Sequence, residues 1–498
     1  MHNKRNLISS IFNQIFLMLQ GFILPRLFIT TFGSNINGLV SSITQFLGFI
    51  SLLEGGLGAV VLAQLYDPIE HHDRHKVSSI LNACQSFFNK LSLVFVIYTI
   101  VLAFMYPLFI KKGYSVLFAG TLVIILSFST LAQYVLSITN KLFLQAEQRC
   151  FVVCDVSSAG IVLNIILTVT LVKIWPEIHA IKFASSIAYL LQPLLLSSYI
   201  RKHFGGVRFA SDGKYTLKDR WSGFGQNLAY YINLNTDIIL ITIFSSLSYV
   251  SVYSIYMMAI NSLRSLVIIA SNSYQSALGK YYVKPDQDYF RKKFDEFQTF
   301  IWFVSLVLFN ACLLLINPFV SIYTQGVHDA NYYQPIFALI IIYANMLFSI
   351  REPYRLMTLA AGKFKETNFS SFMEAILNFV ISIILVGRFN LVGVAIGTFI
   401  AILYRFICFM NFFKKDVLYK SIVSYYPMIF ASSLIILLNS FLYFTFRLSI
   451  NSIIDFILYG VIVVFIESVI TLFVVYICLR AFGKRIHIQK FLNIIKHR

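Results

Sequence analysis

The sequence predicts an all-α polytopic membrane protein with about fourteen transmembrane helices. Of its 498 residues, 58% are hydrophobic and 12% are charged, whereas a soluble globular domain has about 45–50% apolar and about 25% charged residues. The apolar residues form long continuous runs instead of the alternating pattern of a membrane β-barrel. These observations exclude a soluble enzyme and a disordered chain.

The apolar runs are long enough to cross a bilayer, since a spanning helix needs about 20 mostly apolar residues. Several runs exceed this length, which permits tilted or kinked helices. We predict spans near residues 7–32, 36–65, 80–110, 114–144, 151–174, 178–200, 223–246, 249–278, 297–324, 332–360, 366–388, 391–413, 424–447 and 452–480.

The positions of lysine and arginine predict the orientation of these helices, because cytoplasmic loops carry an excess of both residues. With the N-terminus in the cytoplasm, most of the basic residues fall in cytoplasmic segments. The outer segments hold only Lys111, Lys112, Lys173, Lys182, Arg388 and Arg447. The bias predicts that both termini are cytoplasmic. The same bias explains the net charge of +19, because basic cytoplasmic loops face anionic lipid headgroups. We therefore expect no nucleic acid as a partner.

Two stretches of the chain resemble each other. Residues 143–202 align without a gap with residues 357–416, and Asn164 thereby matches Asn378 in the middle of a span. A weaker similarity joins the first and seventh spans. We therefore predict two parallel six-helix lobes around a central cavity, which suggests alternating access. The predicted domains are an N-terminal lobe at 1–204, a cytoplasmic linker at 205–222, a C-terminal lobe at 223–416, and two extra helices with a basic tail at 417–498.

Basic residues inside the spans are the first candidates for function. A charged side chain at mid-bilayer costs about 2.5–3.5 kcal/mol on insertion scales, so it usually faces a cavity or a partner. Arg26 follows Pro25 in the first span, and Arg264 lies near the middle of the eighth. Both arginines fit a cationic cavity wall that binds an anionic headgroup. The alternatives are snorkelling of Arg26 to the outer interface and an ion pair between Arg264 and Asp237.

The segment REPYR places further charges near the cytoplasmic end of the tenth span. Its residues Arg351, Glu352 and Arg355 are candidates to line an inner vestibule, and Pro353 predicts a kink there. Arg405 lies at a similar end of its own span, where we expect it to snorkel to the membrane surface.

Four polar residues are candidates for coupling transport to a cation or a proton. Glu374 and Asn378 are one helical turn apart on one face, and Asp237 is a possible third member. Oxygen ligands suit a hard cation. Glu54 is a further buried acid. Polar contacts between helices are the alternative explanation for all four.

Two short motifs could suggest chemistry, and both are set aside because they lie in short loops. Asp286-Gln287-Asp288 has the DxD pattern of metal-dependent sugar transferases, and His71, His72 and His75 could form a zinc site with nearby acids. The six cysteines are scattered along apolar runs and do not have the spacing of a disulfide framework or a metal site. There is no P-loop and no nucleophile beside a base. We therefore expect a protein that is not an enzyme, with no cofactor and no bound metal.

Three segments of the chain resemble Wzx-type polysaccharide repeat-unit flippases. They are FGSNINGLVSSITQFLGFISLLEGGLG in spans 1–2, NTDIILITIFSSLSYVSVYSIY in spans 7–8, and AAGKFKETNFSSFMEAILNFVISIILVGRFNLVGVAIGTFIAILYR in spans 10–12. The flippases belong to the multidrug/oligosaccharidyl-lipid/polysaccharide exporter superfamily, whose members have two six-helix lobes around a cavity. Fourteen spans are usual in the branches that act on lipid-linked sugars, whereas drug antiporters usually have twelve. Cavity arginines recur in spans 1 and 8 of the lipid II branch, where Arg26 and Arg264 fall in this chain.

The resemblance implies a flippase for undecaprenyl-diphosphate-linked oligosaccharide repeat units. Such a protein acts in the cytoplasmic membrane of a bacterium and serves a surface polysaccharide such as O-antigen of lipopolysaccharide, capsule or exopolysaccharide. The diphosphate would be bound by Arg26, Arg264, Arg351 and Arg355, since arginine offers bidentate donors to phosphate. The implied partners are the lipid-linked oligosaccharide, anionic membrane lipids, and a polysaccharide polymerase with other assembly proteins. A cation-coupled multidrug antiporter of the same fold and a polysaccharide polymerase are the alternatives; polymerases typically have a larger outer loop.

Overall fold

The described residues form helices and no strands, which confirms the predicted fold class. The computed structural model describes residues 3–54, 57–110, 114–205, 224–282, 287–361, 363, 366–416, 426–446, 450 and 452–481. Almost all of the predicted linker and most of the predicted basic tail lie outside these residues.

Each predicted span falls on one or more helices. In chain order the helices are α1 (Asn3–Gly48), α2 (Ser51–Glu54), α3 (Leu57–Glu70), α4 (Arg74–Phe109), α5 (Val116–Ala132), α6 (Ile138–Ala146), α7 (Cys150–Ile174), α8 (Ile178–Phe204), α9 (Phe224–Phe244), α10 (Leu247–Tyr282), α11 (Gln287–Tyr323), α12 (Pro335–Ile350), α13 (Glu352–Ala360), α14 (Asn368–Phe389), α15 (Leu391–Asp416), α16 (Tyr426–Thr445) and α17 (Ile453–Ala481). A π-helical turn at Gln133–Ser137 joins α5 to α6.

Within the described residues, 12 helical stretches are long and apolar enough to cross a membrane. The chain is therefore a multi-pass membrane protein. The 12 stretches are two fewer than the fourteen predicted spans. The first two predicted spans share the long helix α1, and the described apolar part of the seventh is the short stretch Asn235–Phe244.

Helix α1 bends at Gly33, where φ is +82°, a value that glycine adopts without steric cost. The second half of α1 begins directly after this bend. The backbone N–H of Ser34 donates to Oδ2 of Asp329 at 2.7 Å, and the Ser34 hydroxyl donates to Oδ1 at 2.5 Å. A carboxylate at a helix N-terminus satisfies a free N–H group and complements the helix dipole. This contact explains why the chain bends at Gly33 yet remains helical on both sides.

The chain divides into two compact units. The first unit contains Met1–Ile255 together with Gly326–Ala330, and the second unit contains Tyr256–Gln325 together with Asn331–Arg498. These units are defined by packing, and the predicted lobe boundaries stay a prediction. Helix α10 begins in the first unit and continues into the second.

Helices α14 and α15 form an antiparallel hairpin whose two backbones approach each other closely. Glycine at 397 brings the two backbones together, since a Cβ atom there would lie 2.1 Å from the Ser382 hydroxyl. Small residues allow helices to approach in this way within a membrane. The turn at Asn390 joins the two helices, so that residues equally far from it along the chain lie side by side.

The two C-terminal helices pack within the second unit. The indole N–H of Trp302 on α11 donates to the Ser432 hydroxyl of α16 at 2.9 Å. Further along α16, the Tyr443 hydroxyl donates to Oδ1 of Asn317 at 3.1 Å. One face of α16 therefore packs against α11, and α17 packs beside α16 and against α11.

Candidate functional site

Four helical elements of the second unit bring a group of charged side chains together. We call this group the arginine cluster; it consists of Arg264 on α10, Phe348 and Arg351 at the end of α12, Glu374 on α14, and Arg405 on α15. All five are buried, and the exposed fraction of the three arginines is between 4% for Arg405 and 8% for Arg264.

Glu374 joins two of the arginines. Its Oε1 accepts a hydrogen bond from Nη1 of Arg351 at 2.6 Å, and its Oε2 lies 3.8 Å from Nε of Arg405. The same Arg405 donates from Nη1 to the Thr367 carbonyl at 2.7 Å and to the Ser370 hydroxyl. One carboxylate and two groups at the start of α14 thus fix the orientation of Arg405.

Phe348 contacts two of the three guanidinium groups, those of Arg264 and Arg351. The Cζ atom of Arg264 is 3.8 Å from the centroid of its ring, and that of Arg351 is 4.4 Å from it. A phenyl face attracts a cation, and more strongly where water is excluded. Arg264 also donates from Nη1 to Oδ1 of Asn345 at 3.1 Å.

The break between α12 and α13 positions Arg351. A helix that continued through Pro353 would lose a hydrogen bond and place the proline ring against the preceding turn. Helix α12 therefore ends at Ile350, and Arg351 is its C-terminal cap. A cation is favoured at this end of a helix because the last carbonyl groups carry partial negative charge.

The arginine cluster combines three guanidinium groups with one carboxylate, so its named side chains carry more positive than negative charge. Each guanidinium has five N–H donors and no acceptor. Charge of this kind is costly inside a membrane protein unless a partner balances it. The arrangement therefore suits a multivalent anion.

Arg355, which was predicted to share the diphosphate, is paired within its own helix. Its Nε lies 3.0 and 2.9 Å from the two carboxylate oxygens of Glu352, and its Nη2 lies 2.5 Å from Oε1. Glu352 is almost fully buried, whereas the Arg355 side chain is 37% exposed. Glu352 directly follows Arg351 in the chain, and Arg355 lies one helical turn beyond Arg351.

Arg26, the remaining predicted arginine, belongs to the first unit. It is half-buried on α1, and its carbonyl accepts a hydrogen bond from the Thr30 hydroxyl at 2.8 Å. Its predicted role alongside Arg264 stays a prediction.

The predicted coupling residues lie in different places. Asp237 on α9 is buried in the first unit, where Oδ2 accepts a hydrogen bond from the Tyr253 hydroxyl at 2.8 Å. Asn378 lies in the second unit, where Oδ1 accepts from the hydroxyls of Ser382 at 3.1 Å and Thr398 at 3.2 Å. Asn378 thus makes the polar contacts between helices that were its alternative explanation.

Glu54 ends the short helix α2, in the first unit. It is half-buried, and Lys141 on α6 is close enough to attract it electrostatically. The two residues after Glu54 lie outside the described part of the chain, and α3 begins at Leu57. The nearby lysine offers a structural reason for an acid at this half-buried position, and the sequence did not suggest this pair.

The interpretation of Arg405 as a snorkelling residue was wrong, because this side chain is buried and contacts Glu374. A usable signal was present in the sequence. Glu374 and Arg405 lie nearly the same number of residues before and after the turn at Asn390, so an antiparallel hairpin places them at the same depth. The two neutral side chains that contact Arg264, those of Asn345 and Phe348, carry no comparable signal, since nothing in the sequence pairs either of them with an arginine.

Lys182, which was expected in an outer segment, lies inside α8. Its side chain is 9% exposed, and Nζ lies 3.9 Å from the ring centroid of Phe28 on α1. The first unit therefore also contains a buried lysine whose amine lies against an aromatic ring.

Comparison with known proteins relates this fold to membrane transporters. No family model and no curated protein matches the chain. Among solved structures it is similar to the lipid II flippase MurJ in an inward closed conformation, with 15% identity and a TM-score of 0.69 over 96% of this chain and 99% of that one.

Two multidrug transporters are also similar. An inward-facing MATE family transporter of the MOP superfamily has 14% identity and a TM-score of 0.62 over 81% of this chain and 96% of its own. The MATE transporter DinF-BH has 17% identity and a TM-score of 0.58 over 84% and 97%. The protein has the fold shared by MurJ and the MATE transporters.

Proposed function

We propose that the protein is a flippase that moves undecaprenyl-diphosphate-linked oligosaccharide repeat units from the inner to the outer leaflet of a bacterial cytoplasmic membrane, for surface polysaccharide biosynthesis. The observation that carries this proposal is the arginine cluster, a buried site with excess positive charge. A diphosphate is a multivalent anion that cannot cross hydrocarbon unaided, and arginine binds phosphate through paired N–H donors. The prenyl chain would stay in the lipid while the headgroup crosses.

Within the cluster, Arg264 and Arg351 are the proposed ligands of the diphosphate. Both guanidinium groups lie against the ring of Phe348, so one anion beside this ring would accept hydrogen bonds from both. We propose a second role for Glu374, in addition to the predicted coupling to a cation or a proton. It would pair with Arg351 and Arg405 and offset one of their two positive charges when no headgroup is bound, and it would release Arg351 to the incoming phosphate.

The other predicted residues complete the proposed transport cycle. Arg355, whose side chain is partly exposed, would capture the headgroup at the inner mouth after leaving Glu352. Arg26 would contribute from the first unit. Asp237, Asn378 and Glu54 are the proposed residues for coupling to a cation or a proton. Anionic lipids and a polysaccharide polymerase with other assembly proteins are the proposed partners.

A cation-coupled multidrug antiporter is the second candidate, because the MATE transporters have the same fold. Two observations favour the flippase. The similarity to MurJ covers 96% of the chain, against 81% and 84% for the two MATE transporters. The excess positive charge of the arginine cluster would repel a cationic drug and attract a phosphate.

The sidedness of lipid-linked oligosaccharides in a deletion strain tests the proposal. We expect complete repeat units to accumulate on the inner leaflet and surface polysaccharide to be lost. The wild-type gene and an Arg388→Ala variant, altered at an exposed arginine of α14, should restore export. A variant with Arg264→Ala and Arg351→Ala should not, at normal protein abundance.

Two other outcomes would contradict the proposal. Single units that reach the outer leaflet but stay unpolymerised would identify a polymerase. Unchanged lipids and polysaccharide, together with new sensitivity to cationic drugs, would identify a multidrug antiporter.

A further inference from the structure

The two C-terminal helices enclose a buried acid that the transport proposal does not use. Glu467 on α17 is 1% exposed, and Asn439 on α16 and Thr471 on α17 are fully buried. Glu467 and Thr471 are four residues apart, so both side chains lie on one face of α17. Asn439 connects this face to α16, since its Nδ2 lies 3.3 Å from Oε2 of Glu467.

Two oxygen atoms at this place accept no hydrogen bond from the described residues. They are Oδ1 of Asn439 and Oγ1 of Thr471, and both are buried. Leaving a buried polar group without a partner costs about 1–3 kcal/mol. The amide nitrogen of Asn439 donates to the Ile435 carbonyl at 3.1 Å as well as to Glu467, so two hydrogen bonds fix the orientation of this amide.

The neighbouring polar groups do not balance the charge of Glu467. The Tyr343 hydroxyl on α12 is near enough to interact with it, but this hydroxyl bonds the Ile436 carbonyl at 3.2 Å and the Ser440 hydroxyl at 3.1 Å. No lysine or arginine among the described residues lies within ion-pair distance of Glu467. Asp455, the other acidic residue of α17, is exposed, so Glu467 is the buried acid of this helix.

We propose that Glu467, Asn439 and Thr471 form a binding site for one alkali-metal cation. All three offer oxygen acceptors, which hard cations prefer, and the single negative charge of the carboxylate matches a monovalent ion. One cation would satisfy both orphaned oxygens and the carboxylate at once, whereas a proton on Glu467 would satisfy at most one acceptor. The bound ion would hold α17 against α16. This inference is independent of the substrate proposed above.

Thermal unfolding of the purified full-length protein in detergent tests the site, with Na⁺ as the probe and choline at equal ionic strength as the reference. We expect Tm to rise with Na⁺ concentration in the wild type. Glu467→Gln should abolish the rise, and Asp455→Asn, which removes an exposed charge from the same helix, should retain it. Thr471→Val should weaken Na⁺ binding by about tenfold, which corresponds to about 1.4 kcal/mol.

A wild-type Tm that is the same in Na⁺ and in choline would overturn the cation site, and so would an equal response in Glu467→Gln. A Tm that depends on pH but not on Na⁺ would mean that Glu467 binds only a proton, which also contradicts the proposal. If Glu467→Gln does not fold, Thr471→Val decides, because it keeps the carboxylate and an unchanged Na⁺ response would refute the site. The export assay reports separately on the proposed flippase.

Discussion

At the residue scale, Glu374 determines how the arginine cluster is held. It contacts Arg351 and Arg405 from two different helices, and all three side chains are buried. Removing one member of a buried ion pair is costly because the remaining charge loses its partner while it stays away from water. The stability of the second unit should therefore depend on this one carboxylate.

Replacing Glu374 with Gln should destabilise the protein by about 3–5 kcal/mol, the usual cost of breaking a buried pair. Thermal unfolding in detergent measures the loss, with Glu366→Gln, an exposed acid just before α14, as the matched control. Adding Arg405→Gln should recover part of the loss, since residues in contact are coupled. Equal unfolding temperatures for Glu374→Gln and the control would refute this role of Glu374.

The sequence predicted the members of the cluster better than their partners. Arg264 and Arg351 are conspicuous as charges within apolar runs. Their partners depend on how each helix is rotated about its axis, which residue depth alone does not determine. Depth suggested Asp237 as a partner of Arg264, but it gave no indication of Asn345 and Phe348, which the structure places against this arginine.

At the element scale, the second half of α1 approaches the start of α10 closely. A Cβ atom at Gly38 would lie 1.8 Å from the carbonyl oxygen of Leu247, within the first unit. One residue earlier, Nδ2 of Asn37 donates to the Ser251 hydroxyl at 2.8 Å. Glycine at 38 is thus required by contact with a neighbouring backbone, which cannot move as a flexible side chain would.

Substitution of Gly38 by Ala should push α1 and α10 apart and reduce the amount of folded protein. Overpacking of this kind costs about 1–3 kcal/mol, and a backbone neighbour places the effect at the upper end. Size-exclusion chromatography of a fluorescent fusion measures the folded fraction. Gly21→Ala on the same helix is the control, because nothing lies within 4 Å of its added Cβ. Equal yields of the two variants would contradict the close approach.

The predicted internal repeat has a counterpart in local contacts. In α7, the Thr168 hydroxyl donates to Oδ1 of Asn164 at 3.4 Å, and in α14 the Ser382 hydroxyl donates to Oδ1 of Asn378 at 3.1 Å. The matched asparagines therefore accept a hydroxyl one turn later in both units. Span positions were predictable because apolar runs determine them. The sequence did not predict that the first two spans share one helix, because the bend at Gly33 depends on Asp329, which is distant in the chain.

At the scale of the whole molecule, composition and the long apolar runs predicted a multi-pass membrane protein, which the 12 apolar helices of the described residues confirm. The orientation that charge placement predicts stays a prediction, and the proposed substrate rests on one site. The fold is common to proteins that transport very different molecules, since MurJ and the MATE transporters share it. We propose that the three guanidinium groups of the arginine cluster, which outnumber its single carboxylate, make this chain bind an anion. The central claim is therefore that the arginine cluster binds a lipid diphosphate.

Binding of undecaprenyl-diphosphate-linked oligosaccharide to the purified protein in lipid nanodiscs tests this claim most directly. Arg264→Gln and Arg351→Gln should each weaken binding by about 10- to 100-fold, since a hydrogen bond to a charged group contributes about 1.5–3 kcal/mol. Arg388→Gln should bind like the wild type, and raising the salt concentration should weaken wild-type binding only modestly, because the site is buried. Equal affinity for all four proteins, or binding of a cationic drug in place of the diphosphate lipid, would contradict the claim.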